Sequence, residues 1–287
     1  MDASPAAAAR PSPPAGPAEL RARMSRPRPA ARHSGSTLFV SAATVLVLFL
    51  AWTLATHLGA VKPLFLPRPE AIVAAFRQAW GGELDGAPLT VHMADSLMRV
   101  IGAFALAALL GIPAGLAMGM SRIARGILDP IIEFYRPLPP LAYLPLMIIW
   151  FGIGETSKIL LIFLACFAPV ALATRSGVLS ASKDQVNAAL SMGASRWQVV
   201  RYVVLPAALP EILIGLRIGM GVGWTTLVAA EMVAATAGLG QLVLNASNFL
   251  RTDLVIMGIL LIGIFAALFE LGMRMLERVL VPWKGKV

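Results

Sequence analysis

The sequence predicts an all-α membrane protein with six transmembrane helices. Hydrophobic residues make up 58% of the 287 and charged residues only 14%, where a soluble domain carries about a quarter charged. Mean hydropathy is +0.78. Six apolar runs are spaced along the chain, and at about 20 residues per span the length accommodates them with their loops. The third observation is charge placement, which takes the spans in order to establish.

The first 36 residues are rich in Ala, Pro and Arg without periodicity, so they predict a disordered basic tail. Residues 37–283 are expected to form the transmembrane domain. The first span is the charge-free stretch from Ser34 to Thr56, too long for a cleaved signal's apolar region. The second runs from Val100 to Ser121. The third, Pro137 to Gly154, is uncharged but carries prolines at 137, 139, 140 and 145. It is predicted as a broken span, because irregular backbone at membrane depth needs protein or a wet cavity around it. The fourth covers Ile159 to Thr174, the fifth about Ile212 to Ala235, and the sixth Leu254 to Phe269.

With the N-terminus inside, sixteen Lys and Arg residues fall on the inner side, in the tail, after span two, between spans four and five, and after span six. Five (Lys62, Arg68, Arg77, Lys158, Arg251) fall outside, and Arg99, Arg136 and Arg217 lie at span edges. The bias places both termini and the 182–206 loop in the cytoplasm. The net charge of +9 therefore orients a membrane protein; no aromatic-interleaved basic patch points to nucleic acid. Cys166, the single cysteine, lies within an apolar run and reads as core packing.

Glycine recurs at every fourth position in span two (Gly111, Gly115, Gly119) and span five (Gly215, Gly219, Gly223). Small residues at that spacing let helices approach closely in lipid. A seam that also slides is the second reading of the same pattern.

The loop from Ser182 to Pro206 carries two capping boxes, Ser182 with Gln185 and Ser195 with Gln198, each starting a helix. Gly193 suits the left-handed residue that ends the first helix, and Pro206 is expected to stop the second near Val204. Ala188, Ala189, Gly193 and Ala194 offer small side chains, and Arg196 and Arg201 offer charge, while Val199, Val200, Val203 and Val204 turn toward the membrane domain. A solvated amphipathic connector is the alternative.

These residues resemble the EAA loop of bacterial ABC importer permeases: Asn187-Ala188-Ala189, three residues, Gly193, nine residues, Val203, one residue, Leu205-Pro206. Asn187 stands where the pattern has Glu, and Val203 where it has Ile. From about Leu66 to Trp283 the segments LPRPEAI, RPLPPLAYLPLMIIWFGIGETSKILLI, GVGWTTLVAAE and FELGMRMLERVLVPW resemble the permeases of nitrate, aliphatic sulfonate and taurine importers, the taurine group most. The resemblance implies a type I ABC importer permease fold and a homodimer around a central path. It also implies two ATP-binding subunits docked on the EAA loops, and a periplasmic binding protein that delivers substrate. The coupling residues it marks are Asn187, Ala188, Ala189, Gly193, Ala194, Ser195, Arg196, Leu205 and Pro206. Taurine or another sulfonate is the implied cargo, nitrate or another small solute the alternative.

No GxxxxGK[ST], HExxH, GxSxG or Cys/His cluster occurs, so ATP and magnesium are expected on the partner ATPase and no catalytic or metal site here. A secondary transporter, the rival class, often shows two related halves, and none is visible. Glu231 follows thirteen uncharged residues of span five, and ionisable groups at that depth need a partner or water. It faces the path, bonded to Thr225, Thr226 or another helix, or it lies at the outer interface; a sulfonate path favours a paired or protonated carboxyl. Arg136 and Lys158 could add positive potential to an anion route or anchor at the interface. Arg217 is placed to snorkel to the membrane surface, and Glu270, Arg274 and Arg278 to form a solvated end of span six.

Overall fold

A computed structural model describes residues 34–82 and 87–283. The tail at 1–33 and Lys284 and Lys286 lie outside the described residues. Every regular element among those described is helical. The chain divides into two compact units, 1–54 and 55–287.

The first unit is, in its described part, helix α1 (Ser34–His57) as far as Leu54; the helix begins three residues before the predicted start of the membrane domain. Its two mid-helix threonines donate back to carbonyls of their own helix, Thr44 to Val40 and Thr53 to Leu50, so neither hydroxyl is left bare in an otherwise apolar stretch.

In the second unit the long helices are α3 (Leu89–Met120), α6 (Glu155–Ser180), α9 (Leu205–Ala234) and α11 (Thr252–Leu280). With α1 they make, among the described residues, five helices long and apolar enough to cross a membrane. Among the helices the sequence reading does not anticipate are α2 (Pro69–Trp80), started by proline in its first turn, and α10 (Leu239–Asn248).

α6 is the centre of this unit, and both glycine rows lie against it. A Cβ on Gly111 would meet Val170, on Gly115 Thr174, on Gly119 Val178. Both sets of numbers rise together, so α3 and α6 run parallel. On the other flank Gly215 faces Ala173, Gly219 faces the Cys166 carbonyl, and Gly223 faces the Cys166 sulfur, so α9 runs antiparallel to α6. The predicted packing role of the six glycines holds. Cys166 is fully buried between these helices, its thiol 3.2 Å from the Gly219 carbonyl. Val100, Ala103, Ile162, Met220 and Trp224 fill the space around it, and Phe104 meets Phe269 of α11 edge to face at 5.3 Å.

Because α3 and α6 are parallel, the chain between them must return along their length. The return is made in two pieces: α4 (Arg122–Tyr135), then a 3-10 turn (Pro140–Tyr143) running into α5 (Leu144–Phe151). Asp129 of α4 bonds Arg175 at 2.7 Å, Ile132 packs on Ala168 and Ala171, and Leu144 and Met147 reach Leu161. The run from Pro137 to Gly154 is therefore only half of the path. Its apolar helical stretch, Pro140–Phe151, is too short to cross alone, and the prolines place the break between the halves.

The second helix of the loop does not stop near Val204. α8 (Arg196–Val199) passes through a π-helical turn (Val200–Val204) directly into α9. Pro206 lacks an N–H and its ring crowds the carbonyl four residues earlier. The wider turn, in which the Leu205 N–H reaches the Val200 carbonyl, absorbs that conflict without ending the helix.

The packing yields a direct comparison on one helix. Gly115→Ala places its methyl 2.5 Å from Thr174 Cβ, whereas a methyl at Gly102 meets nothing within 4 Å. In thermal unfolding of the detergent-solubilised protein, Gly115→Ala is expected to be destabilised by about 1–3 kcal/mol, and Gly102→Ala to match or exceed the parent.

Candidate functional site

Two constructed sites lie at opposite ends of the second unit. At one end α7 (Lys183–Ser191) and α8 form the bent pair. Both capping boxes are present. Ser182 Oγ accepts from Gln185 N–H at 3.1 Å while Gln185 Oε1 accepts from Ser182 N–H at 3.2 Å; Ser195 and Gln198 repeat the exchange at 3.3 and 2.7 Å. Gly193 has φ +85°. Its N–H bonds the Leu190 carbonyl, and Ala194 N–H bonds the Ala189 carbonyl, a complete Schellman end to α7.

Val199 and Val204 are buried against Val178, Ala208 and Met273, with Val203, Ala189 and Ala194 partly buried around them. The opposite surface is open. Asn187, Ala188, Gly193, Ser195 and Arg196 are exposed, beside Met192 at 82% and Trp197 at 70% exposure. Leu205 and Pro206 are half-buried at the start of α9, behind the surface that a partner would touch.

At the far end, Glu231 is fully buried. Every group around its carboxylate donates to it: Ser96 Oγ at 2.7 Å, Arg99 Nη1 at 2.8 Å and the Gly240 N–H at 2.8 Å. Arg99, itself 3% exposed, also bonds Glu155 at 2.9 Å and the Ala237 carbonyl at 2.7 Å. Glu155 in turn takes the buried Lys158 ammonium at 2.7 Å. Ser96 accepts the Leu239 N–H at 2.8 Å, and His92 Nδ1 lies 3.0 Å from the Gly238 N–H. The cluster thus joins α3, α6, α9 and the start of α10. Gly238 has φ +142°, and a Cβ there would meet the Glu231 carboxyl carbon at 2.5 Å.

The paired reading of Glu231 is the correct one, with the partners on another helix, Ser96 and Arg99 of α3, rather than at Thr225 or Thr226. Thr225 and Thr226 both donate to the Val222 carbonyl of their own helix. Arg99, Ser96 and Glu155 were missed. The available signal was balance: one arginine and one glutamate stranded in separate apolar helices call for each other. Arg136 lies away from the cluster, on a cavity of about 220 Å³ bounded by α6 and by α9 at Ile218 and Val222. Arg217 does not simply snorkel: it forks onto Glu270 of α11, with Nε–Oε2 at 3.2 Å, and Glu270 also bonds Arg274 at 2.8 Å.

Residues 107–281 match the family model for the binding-protein-dependent transport system inner membrane component. The chain belongs to that family. Relatives include the taurine transport system permease protein TauC of Escherichia coli, 56% identical over 250 residues, covering 86% of this chain and 90% of that one. The putative aliphatic sulfonates transport permease protein SsuC of the same species is 37% identical over 232 residues, covering 81% and 87%. A solved structure of the MetNI methionine ABC transporter in inward-facing conformations shares the fold, with TM-score 0.58 at 20% identity, covering 67% of this chain and 95% of that one. The chain is thus a multi-pass membrane transport component of this family rather than an enzyme.

In this inner membrane component the charge cluster is a structural lock, because removing one member of a buried pair strands the other. Arg99→Ala and Glu231→Ala are each expected to lower unfolding stability by roughly 3–5 kcal/mol. The double variant should lose clearly less than their sum, as read from a double-mutant cycle on the solubilised protein.

Proposed function

We propose that this chain is the permease subunit of an ATP-driven importer for taurine or a closely related aliphatic sulfonate. The carrying observation is the 56% identity to a taurine permease across nearly the whole of both chains. Nitrate has less support from the same comparisons. On this reading two copies of the chain pair around a shared path, two ATP-binding subunits hold ATP and magnesium, and a periplasmic binding protein presents the cargo.

The return path through α4 and α5 counts as a sixth crossing, which puts both termini and the bent pair in the cytoplasm, in keeping with the sixteen inner cationic residues. Asn187, Ala188, Ala189, Gly193, Ala194, Ser195 and Arg196 then seat in the ATPase cleft, and Leu205 and Pro206 carry the motion into α9. With Asn187 in place of an acidic residue, docking rests on shape and on Met192 and Trp197 more than on an ion pair. The glycine contacts and the Arg99–Glu231 cluster make α3, α6 and α9 one body, so a push on the bent pair reaches the outer end. Coupling requires contacts that differ between the two states; they form between the copies and at the ATPase, not inside this body.

Reconstituted with its ATPase and binding protein in proteoliposomes, the complex should import labelled taurine only when ATP is inside. Uptake without ATP would assign the chain to a secondary transporter instead. Gly193→Val is expected to insert normally yet lose ATPase co-purification and transport, because a β-branched residue at φ +85° is strained by about 1–2 kcal/mol. Gly193→Asn, which tolerates the left-handed region, should retain most of both.

A further inference from the structure

The cavity beside Arg136 has walls from the end of α4, the 3-10 turn, and the middle of α6 and α9. Its polar equipment is unusual for so apolar a region. Tyr135, which lines it, has its hydroxyl buried with no hydrogen-bond partner, a state that costs about 1–3 kcal/mol unless a partner is supplied. Arg136 is exposed at the same wall and makes no ion pair among the described residues. No carboxylate lines the cavity, so nothing there repels an anion.

The opposite wall differs. Pro169, inside α6, has no amide hydrogen for the Ala165 carbonyl four residues earlier, and both residues line the cavity. That carbonyl is without its usual helical donor, and the Tyr143 ring lines the same cavity. A carbonyl oxygen and an aromatic ring are what a small ammonium group needs in the absence of a carboxylate. At about 220 Å³ the cavity is smaller than the roughly 300–1,000 Å³ of drug-sized sites and suits a small molecule.

We propose that this cavity is a transient binding site for a small aminosulfonate within the permease, Arg136 and Tyr135 taking the sulfonate and the Ala165–Pro169 stretch with Tyr143 taking the ammonium. The site rests on the sulfonate-importer reading and deepens it. The guanidinium fork pairs with tetrahedral oxyanions through parallel N–H donors, and the free tyrosine hydroxyl supplies a third donor. A sulfonate without an amine engages one wall only, so the permease itself adds to the choice of cargo made by the binding protein. The cavity also borders Ile218 and Val222 of α9, one turn before the exposed Thr225. Glu231 lies nine residues beyond Val222, about 13 Å along the helix, locked in its own cluster.

The test uses the assembled complex without binding protein. Leu138 lines the cavity and is 42% exposed, and the chain's single cysteine is buried, so Leu138→Cys gives one accessible thiol in this chain. Millimolar taurine is expected to slow modification of that thiol by a small thiosulfonate reagent several-fold, ethanesulfonate less, and ethylamine not at all. In proteoliposomes, Arg136→Gln should reduce ATP-driven taurine uptake by about tenfold or more, as expected for a lost hydrogen bond to a charged group, Arg136→Lys less, and Tyr135→Phe several-fold. No protection by taurine in a complex that imports taurine overturns the site and leaves the importer reading standing. Equal protection by all three solutes, or Arg136→Gln and Tyr135→Phe complexes importing at the parent rate, also overturns it. A parent complex that imports no sulfonate and shows no protection removes both readings together.

Discussion

The rest of this structure depends on how closely α3 and α9 approach α6. Lipid offers no hydrophobic drive for apolar helices to associate, so packing contact itself has to hold them. Six glycines spaced by four residues provide it, leaving room for Val170, Thr174 and Val178 on one flank of α6 and for Ala173 and Cys166 on the other. That choice fixes the relative directions of the three helices. It thereby obliges the intervening chain to come back along α6, which the prolines between Tyr135 and Leu144 allow it to do in two offset pieces.

The two poles are finished by different chemistry because they meet different surroundings. At one pole the valines of α8 and the π turn are tucked under the frame and the small, exposed residues of the elbow are left for a partner. The wide turn before Pro206 keeps α8 and α9 continuous, so the elbow is mechanically joined to a long helix rather than tethered to it. At the other pole Glu231, Arg99, Ser96 and the backbone of Gly238 to Gly240 satisfy one another in a closed set. A carboxylate so fully occupied is a poor candidate for meeting an anion in transit, which fits its distance from the cavity near Arg136.

Much of this was legible in the residues. The capping boxes, the left-handed Gly193, the glycine rows and the apolar runs each carry a local signal that survives without tertiary context. What failed to read correctly was relational. The partners of Glu231 come from two other helices, 132 and 76 residues distant in the case of Arg99 and Glu155 through Arg99, and no local spacing marks them. Pro206 read as a stop because a proline usually ends a helix; a π turn as the remedy depends on the valine packing beneath it. The third run read as a broken span in its own right because hydropathy does not register that the amphipathic α4 already covers half of the way.

The central claim is that α3, α6 and α9 move as one body between the elbow and the charge cluster. Spin labels at Met98→Cys and Met192→Cys, both exposed in the parent at 75% and 82%, report it directly when one labelled copy is diluted among unlabelled ones in the assembled complex. The account predicts that the distance between the two labels within that copy is the same with and without ATP, while the distance between the Met192→Cys labels of two copies changes. A nucleotide-dependent change in the distance within one copy would contradict it.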